Sequence, residues 1–172
     1  KVLYDRTCRM LAILADMHPL VKSPVSFDNR LKMQHLAILI EVDRTRQYST
    51  SARSLGISAP SVHRCARELT QLTLEPPFRR VGNSIETTAI GQRLVEHAGL
   101  ALAELQAALA DLDDAAGAST GSITLGAMPL ARTDILPDVI CEVCESDPLA
   151  SVELVEADYN ALVQGMRRGN ID

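Results

Sequence analysis

Apolar residues recur at helical spacing in the middle of the chain and predict three consecutive helices. The expected helices cover Met33–Val42, Thr50–Leu55 and Ala59 to about Leu72. The first has apolar positions on most of its surface, as expected of a buried helix in a small bundle, and should end near Asp43. Gly56 stops the second, because glycine accepts the left-handed conformation that helix ends often need.

The start of the third helix carries two further signals. The Ser58 hydroxyl is suited to cap it, and Pro60 falls in the first turn, where a missing N–H costs nothing. A short helix, a turn containing glycine and a capped second helix together form the sequence pattern of a helix-turn-helix. Four side chains point away from the apolar face and are able to bond bases or phosphates, namely Ser61, His63, Arg64 and Arg67.

Two short extended pieces follow Phe78, which is expected to anchor in the core. They flank a Gly82-Asn83 turn, and the first begins with Arg79 and Arg80. Such a hairpin is typical of a wing beside a helix-turn-helix. The alternative is an ordinary surface β-turn.

A long helical pattern begins at Thr88 and carries a single apolar stripe. Its members are Leu94, Ala98, Leu102, Leu105, Leu109 and Leu112. They step by fours and threes with an average near 3.5, which is the spacing of a coiled-coil seam. No partner for this stripe within the chain is evident from the sequence, so residues 88–112 are predicted to join two copies. The alternative is a helix that packs inside one chain.

After a small-residue linker, residues 115–121, the pattern changes to strand, helix, strand, helix. The expected elements are Ser122–Leu125, Ile135–Glu145, Val152–Val155 and Tyr159–Arg168. Strands alternating with helices predict a parallel sheet with right-handed crossovers. Because two parallel strands do not close a core, the chain is expected to stop inside this domain.

Charge is distributed unevenly along the 172 residues, whose net charge is −5. The net charge is +2 over residues 1–42, +4 over 43–83 and −11 over 84–172. The positive segment is thus the one suspected of touching phosphates, as in nucleic-acid binding proteins. No apolar run approaches the roughly 18 residues of a membrane span, and no signal peptide is evident. A cytoplasmic protein is therefore expected.

No enzyme or cofactor motif is present. The chain lacks a glycine-rich phosphate loop, a nucleophile elbow and metal-ligand spacing among its histidines, so neither catalysis nor a bound metal or cofactor is expected. The histidines are His18, His35, His63 and His97. The four cysteines, Cys8, Cys65, Cys141 and Cys144, are interpreted as reduced core residues. Cys141 and Cys144 form a C-x-x-C pair that one helix face should bury, with redox or metal chemistry as the alternative.

The order of these elements resembles the LysR-type transcriptional regulators over about residues 33–172. The matching motifs include Ser51-Ala52, Leu55, residues 58–62, Phe78, Arg80, Thr88-Ala-Ile-Gly91, residues 121–126, Ile135-Leu-Pro137, Pro148, residues 152–156 and Gly169-Asn-Ile-Asp172. Their shared order and spacing carry the resemblance. Three positions depart from the family pattern where the recognition helix passes to the wing, namely Thr70, Thr73 and Pro77, and His63 stands where serine is common.

The resemblance implies a mainly α protein with a winged helix-turn-helix and a long linker helix, followed by the start of an α/β domain like a periplasmic binding protein. It implies a regulator that binds double-stranded DNA as a homodimer or tetramer and responds to a small-molecule effector. The predicted DNA-binding residues are Ser58, Pro60, Ser61, His63, Arg64, Arg67, Arg79 and Arg80. The predicted effector-binding residues are Ala127, Met128, Leu130 and Arg132. The alternative interpretation of Arg132 is a solvated loop residue without a ligand. A cytoplasmic, nucleoid-associated location follows.

The domain boundaries are predicted at 1–32, 33–87, 88–115 and 121–172. Residues 1–32 form an N-terminal helical segment, in which Leu3–Arg6 echoes Pro77–Arg80 at an offset of 74 residues. One interpretation is the remnant of a duplicated wing and linker helix, and the other is an unrelated helical extension. For the whole chain, the alternative function is a dimerisation module that uses the helix-turn-helix only as a scaffold.

Overall fold

A computed structural model describes residues 2–116, 122–132, 136–148 and 150–171. The first part is helical, with α1 Val2–Ala15, α2 Pro24–Arg30, α3 Met33–Thr45, α4 Tyr48–Ser54 and α5 Ala59–Leu72. A two-stranded sheet and a long helix follow, with β1 Phe78–Val81, β2 Ser84–Thr87 and α6 Ala89–Ala115. The last elements are β3 Ser122–Ala127, α7 Leu136–Ser146, β4 Ser151–Glu156 and α8 Tyr159–Arg167. Short 3-10 helices cover His18–Leu20 and Pro129–Arg132.

The chain divides into two compact units. One contains Leu11–Ala101, and the other contains Lys1–Met10 together with Leu102–Asp172. The core of the first is mostly aliphatic and also holds the Phe27 and Phe78 rings, with Phe27, Leu36, Ile38, Leu39, Val42, Val62, Leu69, Leu94 and Val95 each no more than 1% exposed. Helices α3 and α5 thus bury the faces that their apolar spacing predicts.

The predicted helix-turn-helix is present as α4 and α5. Gly56 ends α4 with a φ of 64°, in the left-handed region that glycine accepts without strain. The Ser58 Oγ accepts a hydrogen bond from the backbone N–H of Ser61 at 3.3 Å, and Pro60 lies in the first turn of α5. The start of the recognition helix is therefore fixed by the residues that the sequence singles out.

The hairpin after Phe78 is a wing made of paired strands. Strands β1 and β2 are antiparallel, with Phe78 opposite Thr87 and Val81 opposite Ser84, around a turn at Gly82. The strand pairing confirms the predicted hairpin. The wing passes into α6 through a close contact, because a Cβ on Gly91 would lie 2.0 Å from the Pro77 carbonyl oxygen. Only glycine fits there, which explains its place in the Thr88-Ala-Ile-Gly91 motif.

The α/β elements also follow the sequence pattern. Strands β3 and β4 are parallel, with Ile123 opposite Val152, and α7 connects them. Gly169, with a φ of 66°, follows the end of α8 as expected. The predicted first residue of α7, Ile135, and residues 117–121 of the predicted linker lie outside the described residues.

The expectation of buried cysteines is wrong for three of the four. Cys65 is buried, whereas Cys8, Cys141 and Cys144 are exposed. Helix α7 turns Ile140 and Val143 partly inward, and none of its described residues is fully buried. Cys141 and Cys144 lie beside the face that carries Ile140 and Val143 and are exposed. Their i, i+3 spacing puts them on one side of the helix but does not show that this side is buried. Within the described chain, Cys141 and Cys144 also belong to no three-residue metal-binding cluster.

Residues 3–6 do not have the strand conformation of the wing segment that they echo. Residues 2–15 form the single helix α1, whereas Phe78–Val81, the segment they would copy, is a strand. The two segments share neither backbone conformation nor pairing. The N-terminal segment is helical over residues 2–15, and both interpretations of its origin stay predictions. None of the described helices combines the length and apolar character that crossing a membrane requires.

Candidate nucleic-acid interface

The recognition helix α5 has one buried and one outward face. The inner face buries Val62, Cys65, Ala66, Leu69 and Leu72. The predicted DNA-contacting residues occupy the outer face and the helix start, where Ser58, Pro60, His63, Arg64 and Arg67 are exposed and Ser61 is half-buried. The structure therefore brings together, on one surface, six of the eight predicted DNA-binding residues.

The two arginines of this face differ in their neighbours. The Arg64 Nε lies 3.9 Å from the Glu68 Oε1, at the outer limit of an ion pair, and the Arg64 side chain is 64% exposed. Arg67 makes no ion pair with any residue that the structure describes. Both guanidinium groups are therefore available to a polyanion, because a loose surface pair contributes little.

The wing supplies the other two predicted residues. The Arg79 Nη2 lies 2.8 Å from the Glu86 Oε2 across the hairpin, so a carboxylate offsets its charge. The Arg80 Nε donates to the Gly82 carbonyl at 3.2 Å, which holds the side chain over the turn without neutralising it. Arg80 is thus the stronger candidate of the two for a contact with phosphate.

Tyr48 links the recognition helix to the wing. Its ring meets the His63 ring edge to face at 4.6 Å between centroids and lies 6.2 Å from the Phe78 ring. Burial raises the pKa of the Tyr48 phenol. A cleft of about 440 Å³ opens beside these rings, lined by Gln47, Tyr48, Ser49, His63, Arg80, Asn83 and Ile85.

Sequence reasoning missed the role of Tyr48 in this interface. The available signal was an isolated aromatic residue at the start of α4, in a chain that has only five aromatic residues in total. The Tyr48 ring contacts both His63 on α5 and Phe78 at the start of β1. His63, which stands where serine is common in the LysR-type family, therefore has a packing partner.

Helix α3 positions the second strand of the wing. The Asp43 carboxylate is buried and accepts a hydrogen bond from the Thr87 hydroxyl at 2.6 Å, and the Arg46 Nη2 lies 3.3 Å from it. The Arg46 carbonyl accepts the backbone N–H of Ile85 at 2.8 Å. These bonds attach the wing to the end of α3 rather than to α5.

A buried polar cluster lies behind the recognition helix. His35 Nε2, the Cys65 sulfur and a Glu68 carboxylate oxygen all lie within 4.8 Å of one another, a proximity that the spacing of the histidines did not reveal. The His35 Nδ1 accepts the backbone N–H of Lys32 at 3.0 Å, so Nε2 carries the proton and donates to Glu68 at 2.9 Å. This bond holds the pKa of Glu68 below its usual range.

The same tautomer makes His35 a poor metal ligand. A histidine that binds a metal through one ring nitrogen normally donates a hydrogen bond through the other, whereas here Nδ1 is already an acceptor. Burial also raises the pKa of the Cys65 thiol, which disfavours the thiolate that a metal needs. The cluster is best explained as a hydrogen-bonded tie between α3 and α5.

The four predicted effector residues follow strand β3. Ala127 is buried and its carbonyl accepts the backbone N–H of Ala157 at 3.1 Å, while Met128 and Leu130 are 47% and 89% exposed. Arg132 is the last residue of a 3-10 helix, and its side chain lies outside the described part of the structure. The role of these four residues in binding an effector stays a prediction.

These elements define a fold class, a winged helix-turn-helix followed by a long linker helix. No family model matches the chain. Similar curated proteins are the transcriptional regulators GalR of Pseudomonas putida, 29% identical over 139 residues, and PcaQ of Agrobacterium fabrum, 26% identical over 145 residues. The alignments cover 81% and 84% of this chain but 35% and 47% of those proteins. The chain thus spans less than half the length of either relative.

Two solved structures share the fold. Full-length OxyR C199D from Pseudomonas aeruginosa matches with a TM-score of 0.62 at 16% identity, covering 83% of this chain and 47% of that one. Full-length CbnR in complex with its target DNA matches with a TM-score of 0.55 at 22% identity, covering 82% and 48%. Together with the curated relatives, they confirm the resemblance to the LysR-type transcriptional regulators that the sequence predicts.

Proposed function

We propose that this chain is the DNA-binding part of a transcriptional regulator that recognises specific double-stranded sequences. One observation carries the proposal: the outward face of α5 presents His63, Arg64 and Arg67 on a unit whose segment 43–83 has a net charge of +4. An exposed basic face on a capped helix of this size fits the major groove, where arginine can hydrogen-bond the edge of guanine and bind the flanking phosphates.

The remaining contacts are assigned from the same geometry. Ser58, Pro60 and Ser61 at the start of α5 face the phosphate backbone or the first bases, and the wing places Arg80 against phosphate or the minor groove. Arg79 contributes less, because Glu86 already offsets its charge. The cleft beside Tyr48 receives the backbone between these two contacts, since it lies between α4, α5 and the wing.

Assembly and control complete the proposal. Two copies joined through residues 88–112 would read a pseudo-palindromic site, as a dimer or as part of a tetramer. A small-molecule effector would act through the α/β domain, near Ala127, Met128, Leu130 and Arg132, because ligands in such sheets bind at the carboxyl ends of the strands. A protein with this role works at the chromosome, which places it in the cytoplasm in association with the nucleoid.

The test compares three single variants by fluorescence anisotropy over a series of salt concentrations. The target is a duplex that the chain selects from a random-sequence pool, and an unselected duplex of equal length measures non-specific binding. The variants are Arg64→Ala, Arg67→Ala and the control Arg30→Ala, an exposed arginine on α2 outside the proposed interface.

An arginine that contacts only phosphate should lower the salt slope by about 0.9 when it is lost, equally on both duplexes. An arginine that reads a base should cost roughly 1–3 kcal/mol on the selected duplex and much less on the other. Arg30→Ala should match the wild type. Unchanged binding by both α5 variants would place the interface elsewhere, and absence of any salt-dependent duplex binding would favour the alternative of a scaffold.

A further inference from the structure

Residues 2–10 of helix α1 lie antiparallel to residues 102–115 of α6, and both segments belong to the same compact unit. The Arg6 guanidinium is hydrogen-bonded to the Asp111 carboxylate and lies 3.5 Å from the Glu104 Oε2. The Arg9 Nε lies 3.4 Å from the same Glu104 oxygen. Two arginines of α1 thus alternate with two acids of α6, which fixes the register of the pair.

Apolar side chains line the space between the same two helices. A cavity of about 130 Å³ separates them, bounded on the α1 side by Leu3, Arg6, Thr7 and Met10 and on the α6 side by Glu104, Leu105, Ala108, Leu109 and Leu112. Leu105, Leu109 and Leu112 belong to the stripe that the heptad spacing assigns to a partner helix. The chain therefore contacts this stripe with its own N-terminal helix, contrary to the expectation that the stripe has no internal partner.

The two halves of the stripe are covered to different extents. Leu94 and Ala98 are fully buried within the unit Leu11–Ala101. Leu109 and Leu112 remain 53% and 47% exposed although α1 lies against them. The cover on the second half is thus partial, which means that another helix able to bury these leucines more completely would gain apolar area.

Charge favours α1 over a second copy at this place. The segment 102–115 of α6 carries four acids and no base, so the same segment of another copy would bring acids against acids. Helix α1 instead brings Arg6 and Arg9 to Glu104 and Asp111. The contact of α6 with α1 therefore has better electrostatic complementarity than a contact with α6 of a second copy. The second copy, however, would bring a longer apolar stripe.

We propose that α1 is an intramolecular competitor of dimerisation: Leu105, Leu109 and Leu112 bind either α1 of the same chain or α6 of a second copy. The inference rests on the proposed dimerisation through residues 88–112. It adds that the dimer forms only when α1 dissociates from α6. A change that stabilises or weakens the contact between α1 and α6 therefore lowers or raises the fraction of dimer. The affinity for a two-part DNA site changes in the same direction as that fraction.

The test is the dimer dissociation constant of the 172-residue chain from sedimentation equilibrium. Arg6→Glu places a carboxylate beside Glu104 and Asp111 and should release α1, so the dimer should bind at least about fivefold more tightly. The charge-matched control is Arg30→Glu on α2, which should leave the constant unchanged. Arg6→Glu combined with Asp111→Arg restores an opposite-charge pair and should return the constant toward the wild-type value.

A fourth variant separates this inference from the proposed function. Leu109→Glu puts a charge into the stripe and should weaken the dimer at least tenfold if α6 is the interface at all. If Leu109→Glu has no effect, the proposed interface is wrong. If Leu109→Glu weakens the dimer but Arg6→Glu weakens it or leaves it unchanged, dimerisation through α6 stands and competition by α1 is overturned. Circular dichroism of each variant confirms that helix content is retained.

Discussion

The winged helix-turn-helix and the α/β elements differ in how many side chains they bury, although apolar spacing predicts the helices and strands of both. The helix-turn-helix unit, Leu11–Ala101, encloses ten fully buried large apolar side chains, and its buried Asp43 and His35 have hydrogen-bond partners. Within the described residues of the other unit, only Ala108 and Ala127 are buried. The comparison shows that a regular pattern of apolar residues predicts a helix or a strand. Burial of those residues also requires a second element that packs against them.

The largest expected effect comes from truncating a leucine in each region. Leu69 on α5 is fully buried, and Leu69→Ala should lower the free energy of unfolding by about 2–5 kcal/mol, because it removes contacts and leaves a cavity. Leu154 on β4 is 39% exposed, and Leu154→Ala should cost less than about 1 kcal/mol. Urea unfolding followed by circular dichroism measures both. Equal costs would show that the two regions are packed alike.

A second pair compares two aspartates that accept hydrogen bonds. Asp43→Ala leaves the buried Thr87 hydroxyl without its acceptor and should cost about 2–3 kcal/mol. Asp158 caps α8 by accepting the backbone N–H of Ala161 at 2.8 Å in an exposed position, so Asp158→Ala should cost about 1 kcal/mol. Asp43→Ala should also weaken DNA binding, since the wing loses its attachment to α3, and Asp158→Ala should not. A reversed order in either measurement contradicts this assignment.

The smallest effect is a dependence on pH that belongs to the helix-turn-helix region. Hydrogen bonds from Arg44 and His35 lower the folded-state pKa values of Glu41 and Glu68. A lowered carboxyl pKa gives stability that is complete above the unfolded pKa, about 4.3, and is lost as pH falls through the folded pKa. The urea midpoint should therefore fall as the pH is lowered from about 6 to about 3.

Glu68→Gln tests the source of that dependence. The variant removes one of the two titrating groups and should make the acid-side fall of the midpoint shallower than in the wild type. The control is Glu75→Gln, because the Glu75 side chain is exposed and makes no ion pair with a described residue. If Glu68→Gln and Glu75→Gln change the slope equally, the bond between His35 and Glu68 is not its cause.

Local signals were sufficient for most of the fold. The cap at Ser58, the stop at Gly56 and the turn at Gly82 act through neighbouring backbone atoms, so the sequence alone predicts them. The charges on α5 were also predictable, because apolar spacing identifies the inner face and leaves the outer one. The same reasoning gave the strands β3 and β4 within two residues of their observed ends.

Contacts between distant segments were not predictable in this way. The edge-to-face contact of Tyr48 with His63, the hydrogen bond of His35 with Glu68 and the ion pair of Arg6 with Asp111 join residues 15 to 105 positions apart. No short-range spacing encodes them, because they depend on how whole helices pack. The misplaced Cys141 and Cys144 have the same cause, since a helix face is buried only where another element covers it.

The attachment of the wing to α3 has a consequence for protein engineering. Since the Arg46 carbonyl and the Asp43 carboxylate hold β2, the orientation of the wing is set independently of the outward side chains of α5. In the proposed interface, residues such as Arg64 and Arg67 could therefore be exchanged to alter base preference while the proposed contact of the wing with the DNA backbone is retained. Only His63 breaks this modularity, because its ring packs on Tyr48 and its replacement would disturb both halves at once.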